Sequence, residues 1–183
     1  METGHELFVH RLNDILDAEQ QLVGALKELA SDSSREDLKK AFESHRVETE
    51  DHVKRLQQCF ELLNEAPEQT ECLGLRGLIA EKKAFREENP SEDLVDVFNV
   101  GAGIKSETYE ICEYESLIDM AKGMKHTQVA KLLSQNLREE QAALKKLEGF
   151  SKKVKPEQLM SPEEEEKTKF DGRRTSKARH ATA

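Results

Sequence analysis

Apolar residues return every three or four positions along most of this chain, the spacing that places them on one face of an α-helix. Phe8, Leu12, Ile15, Leu16, Leu22, Val23, Leu26 and Leu29 predict a first helix from about Gly4 to Ala30. The polar run Ser31-Asp32-Ser33-Ser34 breaks it, and Ser34, with Asp37 three residues on, is placed to cap a second helix. Leu38, Phe42, Val53, Leu56, Cys59, Phe60 and Leu63 carry that helix from Arg35 to about Asn64, and Pro67 disrupts any continuation.

A shorter amphipathic segment follows from Leu73 to Glu88, with Leu75, Leu78, Ile79 and Phe85 on its apolar side. Asn89-Pro90-Ser91 is the next break, and the Ser91 hydroxyl is suited to accept a terminal amide. A third long helix is predicted from Glu92 to about Ala121 on Val97, Val100, Ile104, Ile111, Tyr114 and Ile118. Gly101 and Gly103 weaken its propensity but permit close packing, and Gly123 marks its end. The fourth long helix runs from His126 to about Phe150 on Val129, Leu132, Leu133, Leu137, Leu144 and Leu147. Four long helices with short or partly helical connections predict an all-α fold: an antiparallel four-helix bundle with an additional short helix between helices two and three.

The pattern stops after Phe150. Pro156 and Pro162 interrupt the chain, Glu163 to Glu166 form an acidic block, and the remainder is basic and poor in apolar residues. A bundle over residues 1–155 and a disordered charged tail over 156–183 are therefore expected. Arg173-Arg174-Thr175-Ser176 would suit a basophilic kinase, but a solvated or weakly anion-binding tail is the favoured reading.

Composition agrees with helices. The chain has 183 residues, no Trp, four Pro and 36% charged residues, which need the solvent-facing sides that amphipathic helices supply. A formal net charge of -9 argues against general nucleic-acid binding. Cys59, Cys72 and Cys112 form no CxxC pair, which fits reduced thiols in a cytoplasmic protein. The N-terminus METGHELFVHRL has no signal pattern, and no apolar run has the length of a membrane span, so no membrane association is expected.

Ionisable residues interrupt the apolar stripes at their centres. Glu19 lies between Ile15 and Leu22 on helix one. On helix two, Leu38, Phe42, His45, Glu48, His52, Leu56 and Cys59 make one ladder with three ionisable rungs. Helix three repeats the arrangement with Ile104, Glu107, Ile111 and Tyr114, and Glu110 lies one turn from Glu107. Helix four does so with Leu133, Leu137, Glu140, Leu144 and Leu147, flanked by Glu139. An unpaired buried carboxylate costs several kcal/mol, and four converging anions need protons or cations between them. A pair of divalent metal ions meets that need, as in ferritin-like bundles. The expected ligand set is Glu19, His45, Glu48, His52, Glu107, Glu110 and Glu140, around iron or manganese, with two ions per chain.

Five segments carry a family resemblance: ELFVHRLNDILDAEQQL, AFESHRVETEDHVKRLQQCFELL, ECLGLRGLIAE, KSETYEICEYESL and AKLLSQNLREEQAALKKL. In order and spacing the chain resembles the YciE/YciF family, a ferritin-like, stress-associated domain of unknown function, over roughly Leu7 to Phe150. The resemblance implies a ferritin-like fold, a homodimer, and a metal-linked role in stress with an unknown partner. It also implies carboxylate ligands at Glu19, Glu48, Glu107 and Glu140. Ferritin-like proteins commonly place a histidine three residues after the glutamates of helices two and four; here Asp51 and Ala143 stand there, and Leu144 replaces an acidic residue of relatives.

Two classes of function follow. In the first, Glu48 and Glu140, or whichever pair faces both ions, bridge two ions for oxygen or peroxide chemistry, Glu19 and Glu107 are terminal ligands, and His45 or His52 donates imidazole. Tyr109 and Tyr114 are then hydrogen-bond or redox neighbours, or simply packing residues. In the second, the bundle is a non-enzymatic dimeric stress or scaffold protein with a degenerate metal site. No GxGxxG, Walker, HExxH or GxSxG element supports another enzyme class.

Overall fold

The computed structural model describes residues 1–155, 159–161 and 163–164. The expected tail falls largely outside the described residues. Among the described residues five helices follow in order: α1 (Gly4–Asp32), α2 (Glu36–Leu63), α3 (Leu73–Glu87), α4 (Glu92–Gly123) and α5 (Thr127–Ser151). No strand occurs among the described residues. All five helices fall within two residues of the ends read from the sequence.

Local chemistry sets the ends. Thr3 accepts the Glu6 amide while the Glu6 side chain returns to the Thr3 amide, a reciprocal cap that starts α1. Ser91 is the residue before α4, as expected, though its hydroxyl makes no capping bond. Ser34 does not cap α2. It donates its backbone amide and its hydroxyl to the Asp96 carboxylate of α4, at 2.8 and 2.6 Å, and the Arg35 amide also donates to Asp96. The free amides at the start of α2 are thus met by a buried carboxylate from another helix, a stronger acceptor than a serine hydroxyl.

Cross-helix contacts give the topology. His5 meets Glu65, so α1 and α2 form an antiparallel hairpin. Arg11 binds Glu113 while Asp96 binds Ser34, so α4 runs antiparallel to α1. Arg55 binds Asn136 and Glu139, pairing α2 with α5. The chain after α2 follows α1, with the Glu68 amide on Asn13 and the Cys72 amide on Asp17. Then α3 climbs beside α1 until Lys82 meets Asp32 at 2.6 Å, which delivers the chain to the start of α4. This crossover lets α2 and α4 run in the same direction, as a ferritin-like bundle requires.

Phe8, Leu12, Leu26, Leu38, Phe42, Leu56, Phe60, Leu117, Leu133 and Leu147 belong to one continuous core. The glycine expectation holds at Gly103, where an added Cβ would lie 2.8 Å from Leu147 Cδ1 and 3.4 Å from Phe42 Cε1. At Gly74 it would lie 2.8 Å from the Tyr109 ring, so the absent side chain seats α3 on α4. Among the described residues, no helix is long and apolar enough to cross a membrane.

Candidate metal centre

The inward stripe of α4 carries Asn99, Ser106, Glu107, Glu110 and Tyr114, all buried. Polar side chains on an inward face must find partners, and those of the other helices converge on them. Glu19 of α1, His45 and His52 of α2, and Glu140 of α5 are buried at the same level. His45 and His52 are two helical turns apart, so both face the interior, with ring centroids 6.2 Å apart.

Two triads result, and one residue belongs to both. Glu19, His52 and Glu140 offer one ligand atom each within 4.8 Å of one another, and so do His45, Glu107 and Glu140. His52 Nδ1 lies 2.7 Å from Glu140 Oε1 and 3.2 Å from Glu19 Oε1. His45 Nε2 lies 3.2 Å from Glu107 Oε1 and 3.3 Å from Glu140 Oε2. Each oxygen of Glu140 therefore faces a different histidine.

A carboxylate backs each histidine on the side away from the triads. His52 Nε2 is 2.9 Å from Glu139 Oε2, a contact that would keep a proton on Nε2 while the one on Nδ1 gives way to a cation entering the site. Arg55 holds Glu139 and also donates through Nε to Asn136 Oδ1 at 2.5 Å. Asn136 Nδ2 donates to the Tyr114 hydroxyl at 2.8 Å, and that hydroxyl donates to Glu19. One chain of bonds thus positions both His52 and Glu19. His45 Nδ1 lies 3.2 Å from Glu48 Oε2, so Glu48 stands behind His45 much as Glu139 stands behind His52.

The expected residues separate accordingly. Glu19, His45, His52, Glu107 and Glu140 come together in the triads. Glu110 is fully buried beside them but in neither triad, and both its oxygens lack a hydrogen-bond partner. Glu48 does not occupy the inward stripe: its side chain is 47% exposed, and Thr49 is buried instead. Ala143 is buried where a helix-four histidine would stand in ferritin-like proteins. Glu139, Arg55 and Asn136 were not singled out as functional from sequence; only the flanking position of Glu139 hinted at a role.

The electrostatics are those of a pre-paired cluster. Burial would lower the proton affinity of His52, but Glu19 and Glu140 raise its pKa to about 10. Burial opposes the charge on His45 too, and Glu107 with Glu140 carries its pKa well above the ordinary value. Burial raises Glu19 and Glu107, and raises Glu110 well above the carboxylate range with help from Glu19, Glu140 and Glu107. Burial would raise Glu140 also, but both imidazoles hold it below that range.

The donor set fits divalent metal. Glu19 Oε2 and Glu107 Oε2 are buried without a hydrogen-bond partner, while His52 Nδ1 and both oxygens of Glu140 find their partners inside the cluster itself. Buried nitrogen and carboxylate donors packed this closely call for protons or a cation, and the two triads are compatible with a divalent metal. The metal-free chain answers with imidazolium charge; a metal would replace those protons.

Known proteins share this fold. Protein YciF of Escherichia coli (strain K12) is 35% identical over 143 residues, 78% of this chain and 86% of that protein. The crystal structure of the E. coli stress protein YciF superposes with a TM-score of 0.79 at 34% identity, covering 82% of this chain and 96% of that one. YcfI from Rhodopseudomonas palustris gives a TM-score of 0.79 at 34% identity over 81% of this chain and 94% of its own. A protein from Xanthomonas campestris pv. campestris shares the fold at 22% identity, with a TM-score of 0.66 over 82% of this chain and 92% of its own. With its bundle, its crossover helix and a family match over residues 3–160, the chain belongs to the family described as Domain of unknown function (DUF892), the YciE/YciF-like, ferritin-like group.

Proposed function

We propose that this chain is a stress protein that holds two redox-capable divalent ions, iron or manganese, at the centre of its bundle. The observation that carries the reading is the pair of buried triads sharing Glu140. Glu19 and His52 would hold one ion and His45 and Glu107 the other, with Glu140 shared between them. Glu110 adds a carboxylate beside both. When bound, such a pair supplies one-electron steps toward oxygen or peroxide. The chain's own residues fix the His52 tautomer through Glu139, orient Glu19 through Tyr114 and Asn136, and keep bulk water from the carboxylates. The stress role follows the E. coli relative named as a stress protein.

A second reading has its own support. His45 and His52 already offset the buried carboxylates without metal, and Asp51 and Ala143 stand where ferritin-like proteins often have histidine. Such a core suits a scaffold with a degenerate site. Anaerobic loading with Fe(II) or Mn(II), metal counting, and admission of oxygen under optical monitoring separate the two. Two ions per chain and an oxygen-dependent spectral change support the redox reading; absence of specific uptake leaves the scaffold.

A further inference from the structure

A cavity of about 180 Å³ opens on the His45 and Glu107 side of the centre. Its walls are Ala41, Phe42, Ala142, Ala143 and Leu147, between α2 and α5, and Glu48 and Lys146 also line it. His45 and Glu107 close its inner end, with Glu107 only 2% exposed, and the Glu48 carboxylate stands at its accessible side.

We infer that this cavity binds a small molecule with an apolar body of about benzene size and one hydroxyl-type head, as in phenols, compact alcohols and organic hydroperoxides. The volume carries the size: an apolar cavity of about 150 Å³ takes benzene. The walls carry the apolar body, because Phe42, Leu147 and the three alanines present carbon to it. The Glu48 carboxylate, which lines the same cavity and is accessible, carries the head, since an O–H group entering there donates to it. The inference deepens the metal-centre reading by naming the substrate class that centre would meet, and its biological meaning rests on that reading.

The test uses the full-length metal-free protein, titrated with phenol and with toluene, its isostere without the hydroxyl, by calorimetry and ligand-observed NMR. Saturable single-site binding is expected, with phenol about three- to tenfold tighter than toluene. Ala143→Leu, which fills the cavity, should weaken both ligands at least about tenfold. Ala142 is solvent-exposed. Ala142→Trp therefore narrows the mouth without entering the core, and it should lower affinity even if Ala143→Leu fails to fold. Absence of saturable binding, or binding unchanged in the folded variants, overturns the pocket. Metal uptake by the same preparations is read separately: binding of phenol without metal uptake sinks the redox reading alone, and metal uptake without ligand binding sinks the pocket alone.

Discussion

Glu139 Oε2 sits 2.9 Å from His52 Nε2, on the opposite edge of the ring from Glu140, whose Oε1 is 2.7 Å from Nδ1. The imidazole is held between a partly exposed carboxylate that fixes its proton and a buried one that shares its site. Glu139→Ala should therefore weaken metal binding about 10- to 100-fold, the usual cost of losing such a backing carboxylate, with helix content unchanged. Glu48→Ala should act in the same direction through His45, but less, because that carboxylate is 47% exposed. Equilibrium Mn(II) titration followed by electron paramagnetic resonance measures both.

Glu140 and Glu110 should respond oppositely in the metal-free protein. Glu140 faces both charged imidazoles, so Glu140→Gln strips two buried cations of their shared partner and should cost about 3–5 kcal/mol. Glu110 has no hydrogen-bond partner and lies among like charges, so Glu110→Gln should be neutral or stabilising by about 1–2 kcal/mol. Urea unfolding of the two variants beside wild type gives both signs.

The sequence makes this contrast half legible. Helix limits were readable because Ser-rich and Asn-Pro-Ser breaks, Pro67 and Gly123 act locally on the backbone. Glu19, Glu107 and Glu140 read as inward because their apolar neighbours leave one register, whereas Glu110 reads mostly as a surface charge and is fully buried. Helix α2 leaves two. From His45 to His52, a 3.6-residue period passes between Glu48 and Thr49, and either completes the ladder. The structure buries Thr49, whose hydroxyl returns to the His45 carbonyl at 2.9 Å, and turns Glu48 outward. Asp96 capping α2, and Arg55 tying Glu139 to Asn136, join residues far apart in sequence, which no local pattern encodes.

The charge on His52 gives a pH dependence of definite sign. Its pKa rises from 6.5 to about 10 on folding, so its stabilising contribution to the metal-free fold is complete below pH 6.5 and is lost as pH rises through about 10. Metal must displace that proton. Affinity for Mn(II) should therefore climb with pH over this interval, by roughly tenfold per unit for each proton released. Calorimetry in buffers of different ionisation enthalpy counts the protons. Affinity independent of pH, with no proton release, would contradict the assignment of His52.

Two glycines of equal helical standing should differ. An added Cβ at Gly24 meets nothing within 4 Å, so Gly24→Ala should stabilise the protein by about 0.5–1 kcal/mol. At Gly103 the same methyl would lie 2.8 Å from Leu147 Cδ1, and overpacking should turn the gain into a loss of about 1–3 kcal/mol. Thermal unfolding of the two variants reads the difference.

The most direct measurement of the central claim is anomalous scattering from crystals grown with Mn(II), with data collected on either side of the manganese edge. Two strong peaks per chain are predicted inside the bundle, one among Glu19, His52 and Glu140 and one among His45, Glu107 and Glu140. A bundle interior without peaks, or manganese confined to surface groups such as His5 and Glu65, would contradict it.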